Sequence, residues 1–145
     1  MKRIIFSFIM SGAVFFAVTA QAQGSVGQFG ELLIELETSV FFSVQSDEWR
    51  ARRNGWIADI RSTGDNLPAL KRFLVEFETH LNFNAASPVW RNRRAGWLQN
   101  VNNARSVREL AQQMIVCETA ISYSAQAQAW RSRRPGWISR ARNLN

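Results

Sequence analysis

Trp49-Arg50-Ala51-Arg52-Arg53-Asn54-Gly55-Trp56 is a stretch that returns twice later in the chain. It comes back as Trp90-Arg91-Asn92-Arg93-Arg94-Ala95-Gly96-Trp97 and as Trp130-Arg131-Ser132-Arg133-Arg134-Pro135-Gly136-Trp137. The shared pattern is W-R-x-R-R-x-G-W, with steps of 41 and 40 residues, and it contains all six tryptophans of the chain. A fixed period of this length is the signature of a repeat protein. We therefore predict three tandem copies, at approximately residues 25–65, 66–105 and 106–145.

A Glu-Thr pair stands twelve residues before the first Trp of each motif, at Glu37-Thr38, Glu78-Thr79 and Glu118-Thr119. Apolar residues around each pair recur at helical spacing, which predicts an amphipathic helix. They are Phe29, Leu33, Leu36 and Val40, then Leu70, Leu74, Phe77 and Leu81, then Leu110, Met114, Cys117 and Ile121. Helix-capping residues stand in register before them at Ser25, Asn66 and Ser106. Each copy should thus begin with one helix.

The motif itself predicts a second helix, which begins near Ser46 in the first copy and near Ser87 in the second. Its apolar residues fall on a narrow arc of a helical wheel. Asn54-Gly55 and Pro135-Gly136 are turn dipeptides, and proline inside a helix costs about 3 kcal/mol. We expect the second helix to be kinked or broken before its Gly. A hairpin of short strands joined at this dipeptide is the alternative.

The predicted fold is all-α, with three tandem αα-hairpin repeats and six helices in total. Short connections near residues 43–46 and 62–65 favour antiparallel neighbours. One hairpin cannot bury its apolar face alone, so the copies must stack against each other. A short solenoid and a closed three-fold bundle both satisfy that requirement.

The N-terminal residues have the features of an export signal. Lys2 and Arg3 precede an uncharged apolar run over residues 4–18, and Ala20-Gln21-Ala22 has the form that signal peptidase recognises. We predict a signal peptide at residues 1–22, a single repeat domain at 23–145 and a periplasmic or secreted protein. No later stretch is long and apolar enough for a transmembrane segment. Without Lys2 and Arg3 the chain keeps 16 basic and 11 acidic residues, which weakly favours anionic partners.

Two sets of charged residues recur with the motif. One set should point toward the core and form structural ion pairs, Glu37 with Arg53, Glu78 with Arg94, and Glu118 with Arg134. The other set should face outward and bind phosphate, sulfate or carboxylate groups: Arg50, Arg52, Arg91, Arg93, Arg131 and Arg133.

Glycine also recurs, at Gly55, Gly96 and Gly136, although it destabilises a helix interior. Close helix crossing is the expected reason, and contact between a ligand and the backbone is the alternative. Cys117 stands in a core register and should be buried. His80 has no counterpart in the other copies and is expected at the surface.

The sequence does not favour an enzyme. It has one His, one Cys and no acidic cluster at ligand spacing, so we expect no metal site and no cofactor. The expected function is that of an exported binding protein that engages anionic envelope or polysaccharide material through the repeated Trp/Arg motifs. The alternative is a structural scaffold or inhibitor of another exported protein, in which the motifs serve only the core. A nucleic-acid partner fits export poorly.

Overall fold

The computed structural model describes residues 24–81 and 88–145, so the predicted signal peptide at 1–22 lies outside the described residues. Six α-helices occupy this part of the chain: α1 (Gly24–Ser39), α2 (Asp47–Ser62), α3 (Leu67–His80), α4 (Trp90–Asn103), α5 (Val107–Ala120) and α6 (Gln128–Arg142). Short 3-10 turns at Phe42–Val44 and Tyr123–Ala125 precede α2 and α6. No strand occurs in these two ranges, so the all-α prediction with six helices is confirmed. None of these helices is long and apolar enough to span a membrane.

Three of the predicted helix starts carry the expected side-chain cap. Ser46 Oγ accepts from the amide of Trp49 at 3.1 Å, Asn66 Oδ1 from Ala69 at 3.0 Å, and Ser106 Oγ from Glu109 at 3.2 Å. Ser25 does not cap, because it lies inside α1. Ser87 lies outside the described residues, and α4 begins at Trp90.

The second helix of each copy is expected from the sequence to be kinked or broken before its Gly, and the expected break is wrong. Helix α2 runs without interruption through Asn54-Gly55, and α6 runs through Pro135-Gly136. The strand-hairpin alternative is wrong for the same reason. Trp130 and Trp137 lie on either side of Pro135 and are both buried, so the two halves of α6 are held against the core. Tertiary packing outweighs the local preference of the turn dipeptide.

The helices contact one another in a regular order. Helices α1, α3 and α5 all contact each other, and we call them the inner helices. We call α2, α4 and α6 the outer helices. Each outer helix contacts two inner ones: α2 contacts α1 and α3, α4 contacts α3 and α5, and α6 contacts α5 and α1. The contact between α6 and α1 joins the two ends of the described chain.

Backbone hydrogen bonds connect the loops at one end of the bundle. The amide of Phe41 donates to the carbonyl of Ala125 at 2.9 Å, and the amide of Ala127 donates to Ser39 at 2.9 Å. Isolated antiparallel bridges pair Val40 with Gln126 and Gln45 with Leu81. These backbone hydrogen bonds join segments that are far apart in the sequence, in addition to the packing between helices.

One glycine is needed for close helix packing. A Cβ on Gly30 would lie 2.7 Å from Cγ2 of Ile60, so α1 approaches α2 more closely than a side chain at position 30 would allow.

Cys117 lies in the last turn of α5 and is 1% exposed, in agreement with its predicted core register. Burial raises the pKa of its thiol well above the ordinary value, and the nearby carboxylates of Glu78 and Glu118 raise it further. The reactive thiolate is therefore disfavoured twice, by exclusion of water and by negative charge.

We predict that Cys117 does not react with a thiol-specific disulfide reagent at pH 8 until the protein is unfolded. Because its pKa is raised, moving from pH 8 to pH 9 should not start the reaction in the native protein. Absorbance of the released thiolate, followed with and without guanidinium, measures this. Rapid labelling of the folded protein would contradict the burial of the Cys117 side chain in α5.

Candidate functional site

The carboxylate of Glu37 is almost completely buried and is bound by side chains of the following segment. Arg53 Nε donates to both carboxylate oxygens at 2.7 Å, and an Arg53 terminal nitrogen lies 2.7 Å from Oε2. Trp49 Nε1 donates to Oε1 at 3.2 Å, and Gln45 Nε2 donates to the same oxygen at 3.0 Å. The guanidinium also donates to Thr38 Oγ1 at 3.2 Å, and Arg94 donates to Thr79 Oγ1 at 3.3 Å in the second copy.

The second and third copies repeat this cluster. Glu78 accepts from Trp90 Nε1 at 2.8 Å and from Arg94 Nε at 2.8 Å. Glu118 accepts from Trp130 Nε1 at 3.1 Å, from Arg134 Nε at 2.7 Å and from Gln126 Nε2 at 3.4 Å. The structure therefore brings together each Glu and Arg that the sequence proposed as an ion pair. The hydrogen bond to Glu78 also raises the pKa of Arg94.

Sequence reasoning missed the role of the tryptophan and glutamine donors. Both were visible as spacing: a Trp stands twelve residues after each Glu, and a Gln stands eight residues after it in the first and third copies. The corresponding residue in the second copy is Ala86. Recurrence in two of three copies is a weak signal, and only the folded loop shows that Gln45 reaches the carboxylate.

The two tryptophans of each motif pack edge to face. Their ring centroids lie 5.0 Å apart for Trp49 and Trp56, and 5.3 and 5.4 Å apart in the later copies. The second Trp reaches the next inner helix: Trp97 Nε1 donates to the carbonyl of Gln113 at 2.9 Å, and Trp137 Nε1 donates to that of Leu32 at 2.9 Å. The motif tryptophans therefore belong to the core, and their faces are not exposed to a ligand.

His80 is half-buried, so its expected surface position is wrong. Its ring stacks on Trp49 with centroids 4.9 Å apart, and its Nδ1 lies 3.5 Å from Ser46 Oγ. The alignment with Ser39 and Ala120 could not show this, because the contact joins α3 to the start of α2.

The six arginines predicted to bind anions all lie exposed on the outer helices: Arg50, Arg52, Arg91, Arg93, Arg131 and Arg133. They differ in their surroundings. Arg50 pairs with Asp47 on its own helix, and Arg52 lies 3.5 Å from Glu76 on α3. Arg93 and Arg133 have neither an ion pair nor a hydrogen bond with any residue of 24–81 or 88–145.

The recurring glycines do not serve close helix crossing, and that expectation is wrong. A Cβ at Gly55, Gly96 or Gly136 would meet no atom within 4 Å, and none of the three has a positive φ. Packing and backbone conformation among the described residues therefore leave them unexplained. The second reading, contact between a ligand and the backbone, stays a prediction.

Two surface cavities differ in whether their arginines are ion-paired. One of about 870 Å³ lies between the start of α1 and the ends of α2 and α6. Its arginines are already paired, Arg61 with Glu31 and Arg140 with Glu35, and these hydrogen bonds raise the pKa of both arginines. A groove of about 440 Å³ lies beside Arg93 and Gly96.

No group of three or more His, Cys, Asp or Glu side chains in residues 24–81 and 88–145 could hold a metal ion. Residues 65–132, less than half of the chain, match the model of a family described as a domain of unknown function, DUF8799. No curated protein and no solved structure matches the chain.

The two arginines at the centre of the motif should differ in their effect on stability. Arg53→Ala leaves a buried carboxylate without its cation and should lower the free energy of unfolding by about 3 kcal/mol or more. Arg52→Ala removes only an exposed, water-screened contact and should cost well under about 1 kcal/mol. Denaturant titration of the two variants measures both values. Equal losses would contradict the division of the motif into an inward and an outward arginine.

Proposed function

We propose that the six helices form a closed ring of three αα-hairpins, with one inner and one outer helix from each sequence copy. The contact order supports this, because each outer helix lies against the inner helix of its own copy and that of the next, and α6 returns to α1. The hydrogen bonds of Trp97 and Trp137 follow the same rule, since both end on aligned carbonyls of the next inner helix. In such an arrangement the first two arginines of each motif point outward from the ring, and the third points toward the buried Glu of its own copy.

On this scaffold the protein acts as an exported, non-enzymatic binding protein for anionic polymers of the cell envelope. The observation that carries the proposal is the presence of Arg93 and Arg133 as exposed cations with no anionic partner in residues 24–81 and 88–145. A carboxylate, sulfate or phosphate supplied by a ligand would complete their hydrogen bonding. Export is supported by the residues at 1–22 alone.

The charge distribution concentrates the binding surface on part of the ring. Residues 25–65 contain four basic and seven acidic residues, whereas 66–105 and 106–145 each contain six basic and two acidic ones. The first copy is thus net negative and the other two are net positive. A polyanion should approach the side formed by the second and third copies, because the positive charge of the protein is greatest there.

A second candidate is a scaffold or inhibitor of another exported protein. Burial of all six motif tryptophans favours it, because the motif then needs no ligand to account for its aromatic residues. Exposed arginines would in that case keep the protein soluble, and the partner would contact another part of the surface.

Retention on a carboxylated polysaccharide column in a salt gradient tests the two candidates. The double variant Arg93→Ala/Arg133→Ala should elute at clearly lower salt than the wild type, because two uncompensated charges are lost. The double variant Arg50→Ala/Arg52→Ala is the matched control, because it also loses two arginines, and it should elute close to the wild type since Asp47 and Glu76 already offset these charges. Absence of retention at low salt, or equal shifts for all variants, would refute the anionic-polymer function and leave the scaffold.

A further inference from the structure

The groove beside Gly96 lies between α4 and α5, which belong to neighbouring sequence copies. Its volume is about 440 Å³, and its wall residues come from both helices: Asn92, Arg93, Gly96 and Asn100 from α4, and Gln113 and Val116 from α5. Trp97 closes its inner side and donates to the Gln113 carbonyl at 2.9 Å. This hydrogen bond fixes the two walls relative to each other, so the groove exists before any ligand arrives.

The boundary between α4 and α5 differs from the other two at the position that aligns with the partner of Arg52. Val116 aligns with Glu76 and with Glu35. Glu76 lies 3.5 Å from Arg52 across the boundary between α2 and α3, and Glu35 is bound by Arg140 across the boundary between α1 and α6. In the groove between α4 and α5 the carboxylate is replaced by Val116, which is 45% exposed, and no carboxylate of residues 24–81 and 88–145 offsets the charge of Arg93.

Amide side chains distinguish this groove further. Asn92, Asn100 and Gln113 align with Ala51, Asp59 and Phe73 on the helices α2 and α3, and with Ser132, Arg140 and Leu32 on α6 and α1. Of the three aligned helix boundaries, that between α4 and α5 alone combines three neutral amides with an arginine. Amides both donate and accept hydrogen bonds, which suits the hydroxyl groups of a sugar ring, and arginine suits a carboxylate.

Gly96 keeps the groove open. It is exposed, and a Cβ added to it would meet no protein atom within 4 Å, so the space beside its backbone is available to a ligand. No packing contact and no unusual backbone angle requires a glycine here. A ligand lying against the helix surface would require one.

We infer that the groove between α4 and α5 is a single binding site for an acidic oligosaccharide. Arg93 binds the carboxylate of one sugar residue, the three amides bind hydroxyl groups, and Gly96 allows the ring to lie on the helix backbone. The inference rests on the proposed function and narrows it, because it assigns recognition to one copy of three. The remaining exposed arginines then add only non-specific attraction.

The test is calorimetric titration of the full-length protein with an oligogalacturonate. Val116→Glu places a carboxylate opposite Arg93, as Glu76 stands opposite Arg52, and should weaken binding by at least about tenfold. Val116→Gln is the matched control of equal size without charge and should stay within about twofold of the wild type. Gly96→Ala should weaken binding about tenfold, whereas Gly55→Ala should leave it unchanged. Both alanine variants should melt no lower than the wild type, since alanine favours a helix.

Three results would overturn the inference. Val116→Glu could bind as tightly as the wild type, in which case retention on the polysaccharide column would still support the proposed function without this groove. Polyphosphate could bind with the same affinity and the same sensitivity to Val116→Glu, which would refute recognition of a sugar. No saturable binding of the oligogalacturonate by the wild type would refute the site, and joint loss of column retention would refute the proposed function as well.

Discussion

The buried carboxylate of the Glu-Thr pair is the interaction on which the rest of the structure depends. An ionised carboxylate inside a core is costly unless its oxygens accept several hydrogen bonds. Glu37 meets that requirement only when Trp49 and Arg53, on the following helix, both reach it. The Trp and Arg donors stand twelve and sixteen residues after the Glu in every copy. Their hydrogen bonds therefore set the position of each outer helix along its inner helix and its rotation about its own axis.

The second Trp of each motif extends this order from one copy to the next. Trp97 and Trp137 each donate to a carbonyl on the next inner helix, so a buried polar group of one copy is satisfied by its neighbour. Trp56 departs from this rule, because its indole N–H has no hydrogen-bond partner among residues 24–81 and 88–145, and its ring packs edge-on against Phe73 instead. Aromatic contact replaces the hydrogen bond at that junction.

The three copies differ from one another in the charge and the side chains of their surfaces. The six motif tryptophans are buried in all three copies and each copy keeps its Glu-Arg pair, whereas the net charge changes from negative in the first copy to positive in the other two. Replacement of a Glu by Val116 removes the anion that holds Arg52 at the corresponding place. A repeated framework can thus carry the single site that we propose, because the framework contacts and the proposed ligand contacts use different faces of the same helix.

The sequence alone determined the period, the helical class and the pairs of charges that meet inside. It could do so because helical spacing and recurrence are local properties: Ser46 and Ser106 cap as expected, and Glu37, Glu78 and Glu118 each lie beside the Arg that follows sixteen residues later. Tertiary structure decided the features that depend on neighbours. Pro135-Gly136 remains helical because buried tryptophans hold both sides of it, His80 is half-buried because Trp49 comes from another segment, and Gly96 has open space beside it. None of these could be derived from spacing, because each depends on which helix lies alongside, and long-range packing fixes that choice.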